Sequence, residues 1–517
     1  MMRIAAGDKP GVSLIVPPSP FLADERVFPF LGPLKVAAEL RRHGYAVDVL
    51  DLAGFGNYED IVRTYAQSTS HRCFGLTATT PQLPAAIGVL SVLREACPSA
   101  TVMLGGPHAT LTHAAYLRDQ RQGVKGRGTI AFEQIEAIFD KLVVGDGERA
   151  VFEAIDPLNT RKVVDAGSLS SQLFMRRGEL DLFSVPARDL IDLDSYHYEI
   201  DGHRAFSVIG QLGCPFECGF CGGRDAPSFR VARSRAPGSI VAEIEQVVRA
   251  SIDRGRPFSG VMFYDDELNV HRGSLEALCQ GLIALQERLG MSMRFRGFIK
   301  AELFTSEQAR LMHQAGFRIL LSGVESGSDT ILKTMRKHTT RAINTRCLEL
   351  AHAAGLQFKA LMSLGHPGES DDTAGESVDW VLKTRPDDVD WTIITEYPGS
   401  PYFDHSVYDA PTGNWVYTEP RTGNRLWSRS TDYCLQAEYY KGIPGDYVAY
   451  VWTDYLSSAE LVRLRDTAEA VTREALGLAP ITSVSAAQFE HSMGQSLPLT
   501  ILRRALPEPD LRAAPAA

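Results

Sequence analysis

Short apolar runs alternate with stretches of helical spacing along the first 155 residues or so. Val12–Val16 is a β-branched run that stops at Pro17-Pro18, which suits a buried strand better than a helix. Leu34–Arg42 carries apolar residues at helical spacing, and Gly44 follows as a stop signal. Ala46–Leu50 and Phe74–Thr77 read as strands, Ala85–Ala96 as a helix, and Thr101–Leu104 and Leu142–Val144 complete five strands. Strands alternating with helices predict a parallel, doubly wound sheet of the Rossmann type. In that architecture ligands lie outside the carboxyl ends of the strands.

A second alternating series, in longer units, runs from Phe206 to about Tyr402. Its strands are Ser207–Gln211, Gly260–Tyr264, Met293–Ile299, Arg318–Ser322, Phe358–Ser363 and Asp390–Thr395. The helix Val241–Ala250 places Ile244, Val247 and Val248 on one face. Six βα-type units predict a barrel-like parallel sheet, with chemistry at the carboxyl ends of its strands. Residues 156–205 between the two series mix charge with short apolar pieces and read as a connector. Residues 406–517 read as a mostly helical, substrate-covering region, with an amphipathic helix at Leu456–Leu476 (Leu461, Leu464 and Ala468 in register). Asp409–Ser430 is rich in Trp, Tyr, Gly and Arg, like a lid, and Tyr433, Tyr439, Tyr440, Tyr447, Tyr450 and Tyr455 add phenols that suit a core better than substrate contacts. The last dozen residues, rich in Ala and Pro, are expected to be disordered.

Composition narrows the class. Hydrophobic residues make up 44% and charged residues 22% of the 517, as in globular chains. A net charge of −10 and a pI near 5.8 disfavour a nucleic-acid partner. No apolar run approaches the length of a membrane span or a signal peptide, so the expected location is cytoplasmic. Cys73, Cys97, Cys279, Cys347 and Cys434 are scattered among apolar neighbours, as buried thiols of a reduced compartment are.

The other three cysteines are different. Cys214, Cys218 and Cys221 form a C-x3-C-x2-C inside Gly213-Cys-Pro-Phe-Glu-Cys-Gly-Phe-Cys-Gly222. Three thiolates are one short of a closed iron–sulfur or zinc site, which leaves one iron of a 4Fe–4S cluster free to bind something else. The competing readings are a zinc knuckle, which favours paired C-x2-C units, or three unrelated thiols. Strand ends in the N-terminal series are small, polar or glycine-rich: Pro17-Pro18-Ser19, Thr77-Ala-Thr79-Thr, Gly105-Gly106-Pro-His108 and Gly145-Asp-Gly-Glu148. They let a large flat ligand approach the backbone, and a nucleotide site or an empty domain would show similar loops.

The C-x3-C-x2-C spacing resembles that of radical S-adenosylmethionine (SAM) enzymes. Val16-Pro-Pro-Ser19, Leu104-Gly-Gly-Pro-His108 and Val144-Gly-Asp-Gly-Glu148 upstream of it resemble the cobalamin-binding domain of the cobalamin-dependent members. The resemblance implies a cobalamin domain over 1–155, a connector over 156–205, a partial (β/α)6 TIM-like radical SAM barrel over 206–405 and a covering region over 406–517. It implies a 4Fe–4S cluster on Cys214, Cys218 and Cys221, SAM on the fourth iron, and cobalamin over Pro17, Ser19, Thr77, Thr79, Gly105, Gly106, His108, Gly145 and Glu148. The cobalt-ligating D-x-H-x-x-G motif is absent. The equivalent loop reads Phe21-Leu-Ala-Asp-Glu-Arg-Val-Phe28, so the resemblance implies no histidine from that motif beneath the metal. His108 is expected to cap backbone or touch the corrin edge.

For SAM, the resemblance implies an aromatic contact at Phe220 near adenine, and the bland alternative is loop packing. Asp266, in Asp265-Asp266-Glu267 at a strand end, is placed for the ammonium or ribose, or as a helix N-cap. Glu325, in Gly323-Val-Glu-Ser-Gly-Ser328, matches the family's acid for the ribose or methionine end, and Gly365, in Leu364-Gly-His-Pro-Gly-Glu369, the place where adenine meets backbone. Arg224, Arg230, Arg233 and Arg235 read equally well as an anion site or as ties between the domains. The implied activity is methylation of an unactivated carbon of a small molecule or peptide, with electrons from a donor such as flavodoxin or ferredoxin. Cyclisation or rearrangement without methyl transfer is the second reading. A non-enzymatic iron–sulfur or zinc protein that senses redox state or binds a partner is the third.

Overall fold

The computed structural model describes residues 9–22, 24–439, 447–480, 490–493 and 495–505. The expected disorder of the last dozen residues, and Tyr440, lie outside them. The N-terminal strands are β1 (Val12–Val16), β2 (Val47–Asp51), β3 (Cys73–Thr77), β4 (Thr101–Gly105), β5 (Lys141–Gly145) and β6 (Val163–Ala166). They form a parallel sheet in the order β2-β1-β3-β4-β5-β6. Strand order reverses at β1, and the crevice above β1 and β3 is therefore where a doubly wound sheet binds its ligand. β6 extends the five strands read from the sequence. Leu502–Ala505 returns from the far end of the chain and pairs antiparallel with β2.

The second sheet is built from β7 (His203–Val208), β8 (Gly260–Phe263), β9 (Arg294–Phe298), β10 (Phe317–Glu325), β11 (Gln357–Leu364) and β12 (Asp388–Ile393). All five neighbouring pairs are parallel and in sequence order, and no β7–β12 pairing closes the ring. This is a half-barrel. Its outer face packs Phe263, Phe295 and Phe317 against one another, with ring centroids 5.4–6.0 Å apart, under the covering helices.

The C-terminal region departs from the expectation of a mostly helical segment. Among the described residues it holds a four-stranded antiparallel sheet, β13 (Val407–Asp409), β14 (Asn414–Thr418), β15 (Arg425–Ser428) and β16 (Val451–Thr453), before one long helix, Ser458–Leu476. The physical reason is a period-two pattern inside the aromatic stretch. Tyr417, Leu426 and Thr453 are cross-strand neighbours buried on one face, whereas Trp427 and Trp452 stack 6.4 Å apart on the other. The helix 458–476 starts at a Ser457/Glu460 capping box and ends at Gly477 in the left-handed region. It supplies the cover for β12: Trp391 donates its indole N–H to Thr472 at 3.0 Å and its backbone N–H to Glu469 at 3.1 Å. The antiparallel sheet is thus inserted between the sixth barrel strand and its helix.

Candidate active site between the two domains

A cavity of about 330 Å³ lies where the carboxyl ends of the N-terminal strands face the half-barrel. Thr77, Gly105, Gly106, Gly145 and Glu148 line one side, and Gly213, Phe229, Arg233 and Asp266 the other. Backbone geometry opens the N-terminal wall. Gly106 has φ +94°, and a Cβ there would lie 2.6 Å from Thr77 Oγ1 and 2.9 Å from the Ala78 nitrogen. A Cβ on Gly145 (φ +84°) would lie 2.4 Å from the Ala166 and Gly167 backbone. Thr110 ties the two loops together: its hydroxyl donates to Gly106 O at 3.0 Å and accepts the Gly145 N–H at 2.9 Å. Glu148 accepts an ion pair from Lys35 at 2.7 Å at the rim. Burial raises the Glu148 carboxyl, and Lys35 more than offsets that, holding it below its ordinary range.

Four residues assigned to cobalamin by resemblance do not line the cavity. The Pro17 carbonyl accepts from the Gln82 side chain at 2.7 Å, and Thr79 begins the same turn in a capping box with Gln82. Ser19 is buried, and its N–H donates to Glu25 at 2.5 Å. His108 is fully buried, with Nδ1 3.2 Å from Thr80 Oγ1 and its ring 5.8 Å from that of Tyr433. It faces the core. Burial pushes its imidazole down to about 3, so it stays neutral.

The cysteine loop leaves the end of the first barrel strand. The Cys214 N–H donates to Phe229 O at 2.9 Å, Gly219 N–H to Met335 O at 2.8 Å, and Gly219 O accepts from Tyr402 N–H at 3.0 Å. These bonds hold the loop's backbone by three separate segments. Its three thiols are unpaired with one another, and among the described residues no three Cys, His, Asp or Glu side chains converge tightly enough for a single metal ion. Three free thiols on one anchored loop are a donor set that fits a cluster whose irons each take one thiolate.

Beside the loop lies a buried polar chain. Glu325, in the left-handed region at φ +62° where β10 ends, accepts from Lys337 Nζ at 3.0 Å and from Ser363 Oγ at 2.9 Å. Ser363 Oγ also lies 2.8 Å from His366 Nε2, and His366 Nδ1 lies 3.4 Å from the Tyr402 hydroxyl. Phe220 is wedged among them, edge-on to His366 at 5.3 Å and with Lys337 5.9 Å from its centroid. Burial raises the Glu325 carboxyl, but Lys337, Ser363 and His366 together hold it below its ordinary range, so it is an anion. Burial pushes His366 down to about 4, so it is neutral. Gly365 sits in the turn after β11, against Ile393 and Leu461. Asp266 accepts the Gly213 N–H at 2.5 Å and reaches the cavity wall. Sequence reading singled out Phe220, Asp266, Glu325 and Gly365 but missed Lys337, Ser363, His366 and Thr110, whose partners are remote along the chain.

The arginine cluster divides. Arg233, fully buried, pairs with Asp146 of the other domain and donates to Ser228 O at 2.7 Å and Met175 O at 3.1 Å. Arg235 pairs with Glu243 at 2.5 Å and with Asp181 at 3.3 Å, and Arg230 pairs with Glu217 at 2.6 Å. Arg224 donates to Cys214 O at 3.4 Å.

Fold and site define a Rossmann-like ligand domain set over a half-barrel that presents three thiols. A B12 binding domain matches residues 27–136 and the radical SAM superfamily matches residues 208–381. An uncharacterized methyltransferase of Pyrococcus horikoshii is 24% identical over 78% of this chain and 85% of its own length. An anaerobic magnesium-protoporphyrin IX monomethyl ester cyclase of Cereibacter sphaeroides is 25% identical over 66% of this chain, which spans 55% of that protein. The fold is shared with the radical SAM methyltransferase TsrM of Kitasatospora setae, solved with cobalamin and a [4Fe-4S] cluster, at a TM-score of 0.57 and 16% identity over 89% of this chain and 92% of that one. The chain belongs to the cobalamin-dependent radical SAM enzymes, and its cofactors are cobalamin, a 4Fe–4S cluster and SAM. Among the described residues no helix is long and apolar enough to cross a membrane.

Proposed function

We propose that the protein is a methyltransferase that methylates an unactivated carbon of a small molecule or peptide. The observation that carries this reading is continuity of space: the glycine-walled cavity above β3, β4 and β5 is also lined by Gly213, the residue before Cys214, and by Asp266. A corrin seated there would face the cysteine loop across open volume rather than through a protein wall. When bound, the cofactors supply one-electron cleavage of SAM and a transferable methyl group.

The chain's own residues do the positioning. Gly105, Gly106, Gly145 and Thr77 would admit the corrin, with Lys35 and Glu148 at its rim. Cys214, Cys218 and Cys221 would hold the cluster. Glu325 is anionic and has lone pairs left after Lys337 and Ser363 are served, so it can accept from the cationic or hydroxyl-bearing parts of SAM. Asp266 and the Gly365 turn complete that side. The Arg233–Asp146 pair ties the two domains together on the wall of the space between them.

The second reading is ring formation without methyl transfer, favoured by likeness to the Cereibacter cyclase. Anaerobic reconstitution with iron, sulfide and cobalamin, followed by turnover with SAM and reductant, separates the two. S-adenosylhomocysteine together with 5′-deoxyadenosine supports methyl transfer, and 5′-deoxyadenosine alone with cobalamin retained favours cyclisation. Failure to bind either cluster or cobalamin overturns both.

A further inference from the structure

Cations flank the cysteine loop, and one of them stands without a counter-ion. Lys300 lies 4.4 Å from the Phe216 centroid and is paired with Glu302 at 3.0 Å. Lys337, over Phe220, is paired with Glu325 at 3.0 Å. Arg230, Arg233 and Arg235 are taken by Glu217, Asp146 and Glu243. Arg224, three residues past Cys221, is half-buried, and among the described residues it has no ion-pair partner. Its Nε is buried without a hydrogen-bond partner, and its Nη1 makes one long bond, to Cys214 O at 3.4 Å.

The backbone holds Arg224 against the loop from two directions. Gly223 has φ +81°, and a Cβ there would lie 2.5 Å from Phe229 Cβ, while Phe229 O accepts the Cys214 N–H. The Arg224 N–H donates to Gly399 O at 3.1 Å, in the turn after β12. Gly399 has φ +82°, and its Cβ position lies 3.3 Å from the Gly223 nitrogen, so the two segments touch backbone to backbone. From here the positive charge acts on the thiols of Cys214 and Cys221 and on Asp266. The acids nearby are engaged elsewhere. Asp266 accepts the Gly213 N–H, Glu267 lies in the field of Lys337 and Lys300, and Glu217 is paired with Arg230.

We propose that Arg224 is an electrostatic positioning residue: its unpaired cation raises the reduction potential of the cluster that Cys214, Cys218 and Cys221 hold, and so favours entry of the electron that cleaves SAM. That step takes one electron from a low-potential one-electron donor and makes or breaks no bond. Reduction adds a negative charge, and a cation in a poorly solvated loop stabilises the more negative form over the less negative one. The inference rests on the family assignment and not on the methyltransferase reading, because ring formation draws on the same electron.

The test uses full-length protein reconstituted anaerobically with isotopically enriched iron, sulfide and cobalamin. Each sample is poised with a viologen mediator at the wild-type midpoint potential, and Mössbauer spectra read the iron alone, free of the cobalt signal. The reduced-to-oxidised ratio should fall at least about tenfold in Arg224→Gln, which is about 59 mV for a one-electron couple. Arg224→Lys, which keeps the charge and loses the planar fork, should recover most of that ratio. Iron content and melting midpoint are measured on every variant, and Arg224→Met decides if Arg224→Gln fails to retain its iron. An unchanged ratio in a loaded neutral variant would overturn the proposal. So would an equal fall in Arg224→Lys, which would assign the effect to the bond with Cys214 O. Loss of iron from both neutral variants would make Arg224 part of the loop's scaffold and overturn it too. Absence of S-adenosylhomocysteine in the turnover assay, with the ratio shifted as expected, would overturn the methyltransferase reading and leave this role standing.

Discussion

Arg233 of the half-barrel domain and Asp146 of the N-terminal domain form a buried ion pair on the wall of the cavity that both domains line. Arg233 has no exposed surface, and its two terminal nitrogens also donate to Met175 O and Ser228 O. The pair therefore sets the distance between the strand-end glycines and the cysteine loop. Removing one member leaves the other charge buried and unpaired, which costs about 3–5 kcal/mol. Arg233→Met should lower the denaturation midpoint and release cobalamin on gel filtration, while the same chain keeps its cluster absorbance. An unchanged cobalamin stoichiometry in a folded Arg233→Met would show that the pair does not set the cavity.

Gly105 and Gly106 are adjacent yet should respond differently to a methyl group. At Gly106 an added Cβ meets Thr77 Oγ1 at 2.6 Å with φ at +94°, a conformation open to glycine alone. At Gly105 the nearest atom is Val143 O at 3.6 Å, an ordinary contact. Gly106→Ala should destabilise by at least about 1–3 kcal/mol and lose cobalamin through local distortion. Gly105→Ala should fold with wild-type stability, and any loss of cobalamin there reports crowding of the ligand itself. Paired melting curves and cobalamin titrations check both; equal stability of the two variants would count against the strand-end geometry.

Much of this was legible in the chain, and the reason is local. Most of the barrel and Rossmann strands carry a short apolar stretch with a Gly, Pro or Asp at one end, and the three cysteines fall within eight residues. What was missed depends on contacts remote in sequence. Lys337 meets Glu325 only because two helical turns and a loop fold back over the strand end, and His366 reaches Tyr402 from a different barrel unit. Nothing near Thr110 announces that it joins two glycine loops. The antiparallel C-terminal sheet was hidden by composition: Trp, Tyr and Arg density suggested a mobile cover, and the alternation Asn414-Trp-Val-Tyr-Thr418 carried the strand signal instead. His108 was drawn toward the cofactor by its motif, but it lies one residue inside a helix start and turns into the core.

His108 makes a pH prediction. Its imidazole is held neutral down to about 3 by burial, whereas in the unfolded chain it titrates near its ordinary value of 6.5. Below pH 6.5 the unfolded state binds the extra proton, so stability is full above that pH and falls as pH drops toward 3. The slope is about 1.4 kcal/mol per pH unit for this one group. His108→Gln, which can keep a bond to Thr80, should flatten the decline of the denaturation midpoint between neutral pH and pH 5. The visible spectrum of bound cobalamin should not change in that variant, because the ring faces Tyr433. A spectral shift would place the imidazole at the cobalt after all.

Glu325 and Lys337 bear on SAM. Both are mostly buried, and Lys337 also lies over Phe220 from the cysteine loop, so the pair links the cluster-bearing segment to the end of β10. Glu325→Gln keeps the shape and an acceptor for Ser363, yet withdraws the charge that a cationic ligand would feel and leaves Lys337 uncompensated. A charge-assisted hydrogen bond is worth about 1.5–3 kcal/mol, so SAM should bind roughly 10- to 150-fold more weakly to the cluster-loaded variant. Ser363→Ala removes one bond without altering the charge and should cost about 1 kcal/mol or less in the same titration. Lys337→Met tests the other direction. It frees Glu325 of its cation inside a dry site, and it should unfold at lower denaturant concentration even though the carboxylate remains. Isothermal titration of SAM into each anaerobic, cluster-loaded variant separates the cases. Equal affinity in wild type and Glu325→Gln would remove Glu325 from the SAM site and leave it as the counter-ion that anchors Lys337 beneath the cysteine loop.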